Sequence, residues 1–270
     1  MMRDHAGMSA LSPAHFAGFA AILLSAILFM FQTLWAAIPL TFYILGCAIA
    51  SFSPQSRFFL SVVSRGSTGR RVIALTFDDG PDPLTTPFLL KVLSKYKMGA
   101  TFFVSGQDAS NYPDLIREIL SDGHLIGNHS YSHDPFLMFY PYHKLYQEID
   151  AAQDILKKFG ILPLAFRPPV GLTNPKLRPI LTTLGMFCVT FSCRAFDRGN
   201  RHIDGLARKI LGKVKPDDIV LLHDVRPDGE NGVQQWLHEI ELILSGFLTR
   251  GFNVIPLDEL IGKSVMKTMN

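Results

Sequence analysis

Between Asp4 and Arg57 the chain carries no Asp, Glu, Lys or Arg, and from residue 16 to 52 it is almost wholly apolar. One helix crossing a bilayer needs about 20 such residues, and this run is nearly twice that. A water-facing helix would show a charged side, and none exists here. The run therefore predicts two short spans, roughly 16–35 and 38–53, with Ala36, Ala37 and Pro39 near the turn. A cleaved secretory signal has an apolar core of only about 7–15 residues, so the segment reads as a retained anchor. The expected location is integral to the cell membrane. Arg3 lies on one flank and Arg57, Arg65, Arg70 and Arg71 on the other. Positive flanks favour the cytoplasm, so the arginines lean toward a cytoplasmic face for the C-terminal part of the chain.

With 270 residues, there is room for one sizeable domain behind this anchor. Charges recur normally from Arg57 onward. A net charge of +3, with no basic stripe interleaved with aromatics, argues against a nucleic-acid partner. Cys47, Cys188 and Cys193 have no C-x-x-C spacing and read as buried free thiols.

Residues 1–53 form the expected anchor and 54–70, rich in Ser, Gly and Arg, the expected linker. From Arg71 onward apolar strands and amphipathic helices alternate. Strands are predicted at 72–77, 100–104, 125–128, 164–167, 186–191, 219–222 and 252–255. Helices are predicted at 86–96, 112–120, 145–159, 175–184, 203–214 and 233–249. Seven alternations predict an α/β domain over 71–270, a distorted (β/α)7-type TIM-like barrel. In such barrels chemistry gathers at the C-terminal strand ends.

Five motifs fall there. Thr76-Phe77-Asp78-Asp79-Gly80-Pro81 ends the first strand, and its adjacent carboxylates repel unless one meets a cation. His129 and His133 follow the third strand, four apart. With a carboxylate they make a two-His, one-carboxylate set with open positions, as a catalytic metal site requires. Arg167-Pro168-Pro169-Val170-Gly171 ends the fourth strand and offers a guanidinium for a carboxylate. Asp197 lies beyond the strand at 186–191. Leu221-Leu222-His223-Asp224 ends the sixth. Each motif alone is commonly a solvated turn or a structural hydrogen-bonding group; their force is collective.

In this order and spacing the motifs resemble the polysaccharide deacetylases with a NodB-homology domain, carbohydrate esterase family four, over about residues 72–260. The resemblance implies that Asp79, His129 and His133 bind one divalent metal, Zn2+ in most such enzymes. It implies that Asp78 is the general base, positioned by Arg167, and that His223 is the general acid, tuned by Asp197. It implies that Leu221 lines the acyl-methyl pocket and that the Val170 backbone helps bind the oxyanion. Two positions depart from the family pattern: Val170 is commonly Tyr there, and Arg198 is commonly Trp.

The expected activity is hydrolysis of N-acetyl or other N-acyl groups from amino sugars of a polysaccharide, peptidoglycan or lipid-linked glycan. A deformylase or O-deacetylase on a lipid-linked sugar and a catalytically inactive membrane-tethered carbohydrate-binding protein are the alternatives. Expected partners are an N-acetylated glycan or lipid-linked amino sugar and membrane lipid. One stretch is unusual. Phe136-Leu137-Met138-Phe139-Tyr140-Pro141-Tyr142 is too apolar for a plain loop. It either folds back as local core or meets lipid beside the metal ligands.

Overall fold

The computed structural model describes residues 11–31 and 34–269. Arg3 and Asp4, which bear on the orientation, lie outside the described residues. The chain opens with α1 (Pro13–Met30) and α2 (Ile38–Ser51), linked through a 3-10 turn at Leu34–Ala37. Two spans, Pro13–Met30 and Leu34–Ser51, are long and apolar enough to cross a membrane, with only 22% and 6% of their residues buried. Phe16, Phe19, Leu23, Phe42 and Ile49 all point outward. The two helices pack closely where a small residue permits it. A Cβ at Gly18 would stand 3.0 Å from the Tyr43 hydroxyl.

The segment expected as a linker is packed. Phe59 and Leu60 are buried, and Val62–Val63 forms β1. Arg65 pairs with buried Asp218, Arg70 pairs with Glu259 at 2.9 Å, and Arg71 stacks on Phe252. Three of the four arginines on the C-terminal flank therefore have partners in the folded domain.

Next come β2 (Val72–Asp78), α3 (Thr86–Tyr96), β3 (Thr101–Val104), α4 (Gly106–Asn111), α5 (Pro113–Ser121) and β4 (Leu125–Asn128). They are followed by α6 (Tyr142–Lys157), β5 (Ile161–Pro163), β6 (Ala165–Phe166), α7 (Leu177–Thr183) and β7 (Phe187–Val189). The chain finishes with β8 (Cys193–Arg194), α8 (Leu206–Leu211), β9 (Ile219–His223), α9 (Gly232–Thr249), β10 (Asn253–Val254), α10 (Leu257–Ile261) and β11 (Met266–Thr268). The main sheet runs β1-β7-β6-β4-β3-β2-β9-β8, with β10 on β2. All of its ladders are parallel. The expected α/β architecture forms as a curled parallel sheet, a distorted half-barrel.

The distortion has a local cause. The strand expected at 186–191 changes partners midway: β7 pairs with β6, while β8, a few residues on, pairs with β9. The Thr190 N–H donates to Val63 of β1, and its carbonyl accepts from Arg167. A stretch serving three neighbours cannot hold one ladder, so the strand breaks there.

Alternation along β2 separates two environments. Ile73, Leu75 and Phe77 face the outer helices and pack with Leu89, Leu93, Trp236 and Ile240. Val72 and Ala74 face inward with Phe103, Val189, Phe191 and Leu221. Thr76 and Asp78 share that inward face by register, which brings polar groups to the C-terminal rim. A third cluster joins Leu145, Ile149, Leu177 and Ile180 to Ala14, Ala50, Leu137 and Met138. The apolar hairpin is thus seated at the rim: the Thr173 N–H donates to the Ser51 carbonyl at 3.2 Å.

Candidate active site

Asp78 ends β2 in register with His223 of β9. Its Oδ1 accepts from Arg167 Nη1 at 2.6 Å. The same nitrogen donates to Thr76 Oγ1 at 2.8 Å, and Nη2 donates to the Thr190 carbonyl at 2.9 Å. The guanidinium also lies 3.9 Å from the Phe103 ring centroid. Arg167 is fully buried. A buried ion pair adds little net stability, but removing one partner strands the other at a cost of about 3–5 kcal/mol. The geometry therefore fixes the Asp78 carboxylate in one orientation. Burial lowers the Arg167 pKa, and the Asp78 charge opposes the shift.

Asp79 adopts φ 76°, a conformation uncommon outside glycine but tolerated by Asp and His. It turns Asp79 away from Asp78 toward the loop after β4. Its Oδ1 lies 3.0 Å from His133 Nε2 and 3.4 Å from His129 Nε2. His133 sits at φ 51°, and its N–H donates to Ser130 Oγ at 3.2 Å. One donor atom from each of Asp79, His129 and His133 lies within 4.8 Å of the others.

The donors fit a divalent metal. His129 Nδ1 donates to the Arg167 carbonyl at 2.7 Å. A carbonyl only accepts, so that tautomer leaves the Nε2 lone pair directed at Asp79. Two imidazoles and a carboxylate with open positions make a catalytic donor set. Burial would raise the Asp79 carboxyl, but the His129 and His133 imidazoles against it hold it well below the usual carboxylate range. Burial would lower the His133 pKa, and Asp79 outweighs it and raises it. Such mutual repair of charge is what an ion at the centre replaces.

Across the rim, His223 Nδ1 donates to Asp197 Oδ2 at 2.7 Å. Burial would lower the His223 pKa, yet the Asp197 hydrogen bond and the charges of Asp79, Asp197 and Asp78 push it up to about 9. Leu221, 5% exposed, is two residues before His223 on the same strand face. Val170, at φ 59° and 55% exposed, caps the turn after Arg167. A β-branched residue in that conformation is strained, by about 1–3 kcal/mol. All nine residues singled out from the sequence gather at one end of the sheet. The thiols do not join them: Cys188 and Cys193 are free, each pushed up to about 12 by burial.

Three groups escaped sequence reasoning. Asp224 is fully buried and accepts from Thr85 and Thr86 hydroxyls at 2.7 and 2.6 Å. Burial pushes it up to about 7. It seats the turn after Asp79, since a Cβ at Gly80 would stand 2.6 Å from its Oδ2. Asn200 Nδ2 donates to the His223 and Val225 carbonyls at 3.0 and 2.8 Å, tying the Asp197 loop to the end of β9. Thr76 bridges Arg167 to the Val220 carbonyl. Asp224 and Thr76 sit inside two of the five motifs; Asn200 carries no local signal.

The apolar stretch after His133 divides. Leu137 and Met138 are buried, whereas Phe136 and Phe139 are 66% and 65% exposed.

Proteins of known activity resemble the chain in both sequence and fold. The polysaccharide deacetylase family model matches residues 65–189. A chitooligosaccharide deacetylase of Bradyrhizobium sp. (strain ANU 289) is 31% identical over 202 residues, covering 72% of this chain and 92% of that one. A peptidoglycan-N-acetylglucosamine deacetylase of Bacillus cereus is 33% identical over 193 residues, covering 71% and 88%. The crystal structure of a peptidoglycan N-acetylglucosamine deacetylase superposes with a TM-score of 0.69 at 28% identity, covering 76% of this chain and 94% of that one.

Proposed function

The chain belongs to the polysaccharide deacetylase family of carbon–nitrogen hydrolases, and from that premise we propose that it removes the N-acetyl group of an amino sugar at a membrane surface. The relatives act on chitooligosaccharide or on peptidoglycan N-acetylglucosamine by name, which supports an N-acetylated glycan here. The two apolar spans support an anchor in the bilayer. The observation that carries the reading is the pairing of two opposed, separately braced groups beside one donor triad. Asp78 is braced by Arg167, and His223 by Asp197.

Asp79, His129 and His133 would hold one divalent ion, Zn2+ by the donor set. Bound there, it supplies Lewis acidity toward the acyl carbonyl and toward water. The protein's own groups do the rest. Asp78 Oδ1 is taken by Arg167, so Oδ2, 3.8 Å from His129 Nε2, faces the site and accepts the proton of the attacking water. The Val170 N–H is offered to the tetrahedral oxyanion. Leu221 walls the space for the acyl methyl. His223 Nδ1 is committed to Asp197, so Nε2 delivers a proton to the departing amine. An amide requires this step, because an amide anion is too poor a leaving group. A deformylase or O-deacetylase would use the same groups and differ at the Leu221 wall. An inactive binding protein would have no need of two braced proton carriers.

The test is acetate release from chitin oligomers, peptidoglycan fragments and a lipid-linked N-acetylhexosamine, with and without chelator, against Asp78→Asn. Chelator-sensitive release lost in the variant is expected. Release indifferent to both overturns the reading.

A further inference from the structure

The hairpin meets the half-barrel along a cavity of about 290 Å3. Ser53, Pro54 and Gln55, just past α2, form one wall; Arg194, Phe196 and Lys213 stand on the other. The Arg194 guanidinium and the Lys213 ammonium lie 4.0 and 5.1 Å from the Phe196 ring centroid. The ring is 62% exposed. Neither cation has a hydrogen bond or an ion pair among the described residues. Burial lowers the Arg194 pKa, and the nearby Asp197 charge only partly offsets it; Asp197 is itself committed to His223. Two like charges held on one ring without an anion repel, and an anion between them relieves that.

We propose that this cavity receives the phosphate of a lipid-linked amino sugar, with the lipid chain laid along the exposed apolar surface of the hairpin. The proposal rests on the deacetylase reading and narrows its substrate. Three observations converge on it. The cations lack a bonded anion. The opposite wall is the end of a membrane-grade helix. The cavity's lining continues into the brace of the proton donor: Phe196, at φ 62°, turns its ring outward, while the next residue, Asp197, turns in to His223. On a 2-acetamido sugar 1-phosphate the amide nitrogen and the phosphate sit on neighbouring carbons. A site taking the phosphate beside the residue that orients the acid therefore brings the right nitrogen to His223.

A carrier-lipid phosphate and a phospholipid headgroup share this chemistry, and the experiment separates them. Full-length protein in neutral detergent is titrated with farnesyl phosphate, with farnesol as the phosphate-free control. In parallel, KM is measured on a soluble chitin oligomer and on a polyisoprenyl-phosphate-linked N-acetylhexosamine. For Arg194→Gln/Lys213→Gln, farnesyl phosphate affinity and KM on the lipid-linked substrate should weaken about 10- to 100-fold, two charge-assisted contacts being lost. Turnover of the chitin oligomer should stay within about twofold. Equal loss on both substrates, or no loss on either, overturns the proposal. So does a variant whose only defect is weaker binding to phosphatidylglycerol vesicles, which reassigns the cations to headgroups. If farnesyl phosphate binds through these cations but no substrate releases acetate, the phosphate site stands and the deacetylase reading falls.

Discussion

The hairpin and the rim of the half-barrel are built on opposite plans. In α1 and α2, apolar side chains such as Phe16, Phe19 and Phe42 face outward with almost nothing buried behind them. At the rim, Thr76, Asp78, His129, Arg167, Asp197 and Asp224 are buried. Each arrangement is costly in water alone. About 25 cal/mol is lost per Å2 of apolar surface left exposed. A buried charge without a partner costs several kcal/mol. The rim answers its problem internally, through Arg167–Asp78 and His223–Asp197. The hairpin has no internal answer among the described residues, which is what supports the proposed bilayer anchor.

The sharpest break in this contrast is at the donor triad. His129→Ala should abolish metal retention and leave deacetylation at background, read by metal analysis of the purified protein alongside acetate release. Retained metal with full turnover would place the ion elsewhere. Next in size, Asp78→Asn should retain the metal and lose about 10²- to 10⁴-fold in kcat, the usual worth of a positioned base.

The third prediction concerns protons. In metal-free protein, His223 should titrate near 9, and Asp197→Asn should bring it down, as followed by NMR. The folded value exceeds the unfolded value of about 6.5. This group therefore stabilises the metal-free fold fully below about 6.5, and the contribution disappears as pH rises through about 9. A metal-free protein whose stability does not fall over that window would remove the Asp197 brace from the account.

The fourth approaches from the apolar side. Charged replacements at Phe136 and Phe139, both exposed at the rim, should leave a soluble chitin oligomer turned over within about twofold. Turnover of a lipid-linked substrate should fall steeply if these rings touch lipid. The smallest effect belongs to Val170→Gly. It keeps the backbone N–H and relieves the left-handed strain, so stability should rise by about 1 kcal/mol, with kcat little changed. A large fall in kcat would mean that the side chain itself, rather than the amide, contacts the substrate.

Much of this was legible in advance for a physical reason. The seven expected strands announce themselves through apolar runs bounded by turn residues, and α3 forms over the same residues, 86–96, as its amphipathic pattern predicts. The pieces that did not show are short or depend on distant partners. The two residues of β8 are strand only because β9 lies beside them. β11 exists only against β5. α4 did carry a signal, since Ser105 caps it by accepting from the Asp108 N–H at 3.0 Å, a Ser-x-x-Asp spacing. Among site groups, Asp78, Asp79, His129, His133 and His223 follow from motif chemistry. Asn200 does not, because its partners are the carbonyls of residues 223 and 225, more than twenty positions away.

The packed segment after α2 sets the enzyme's reach. A free chain of 17 residues would let the barrel wander about 20–25 Å from the hairpin. Here Ser51 is bonded to Thr173 and Pro54 to Thr190, Val62 and Val63 pair with β7, and Thr68 is bonded to Asp217, so the leash has little slack. The catalytic rim rides at a fixed height above the end of the hairpin, like a blade set in a plane. With the hairpin in a bilayer, as proposed, such a tool would work whatever is presented at its own level and leave untouched a polymer held farther out, however well that polymer's sugars would fit.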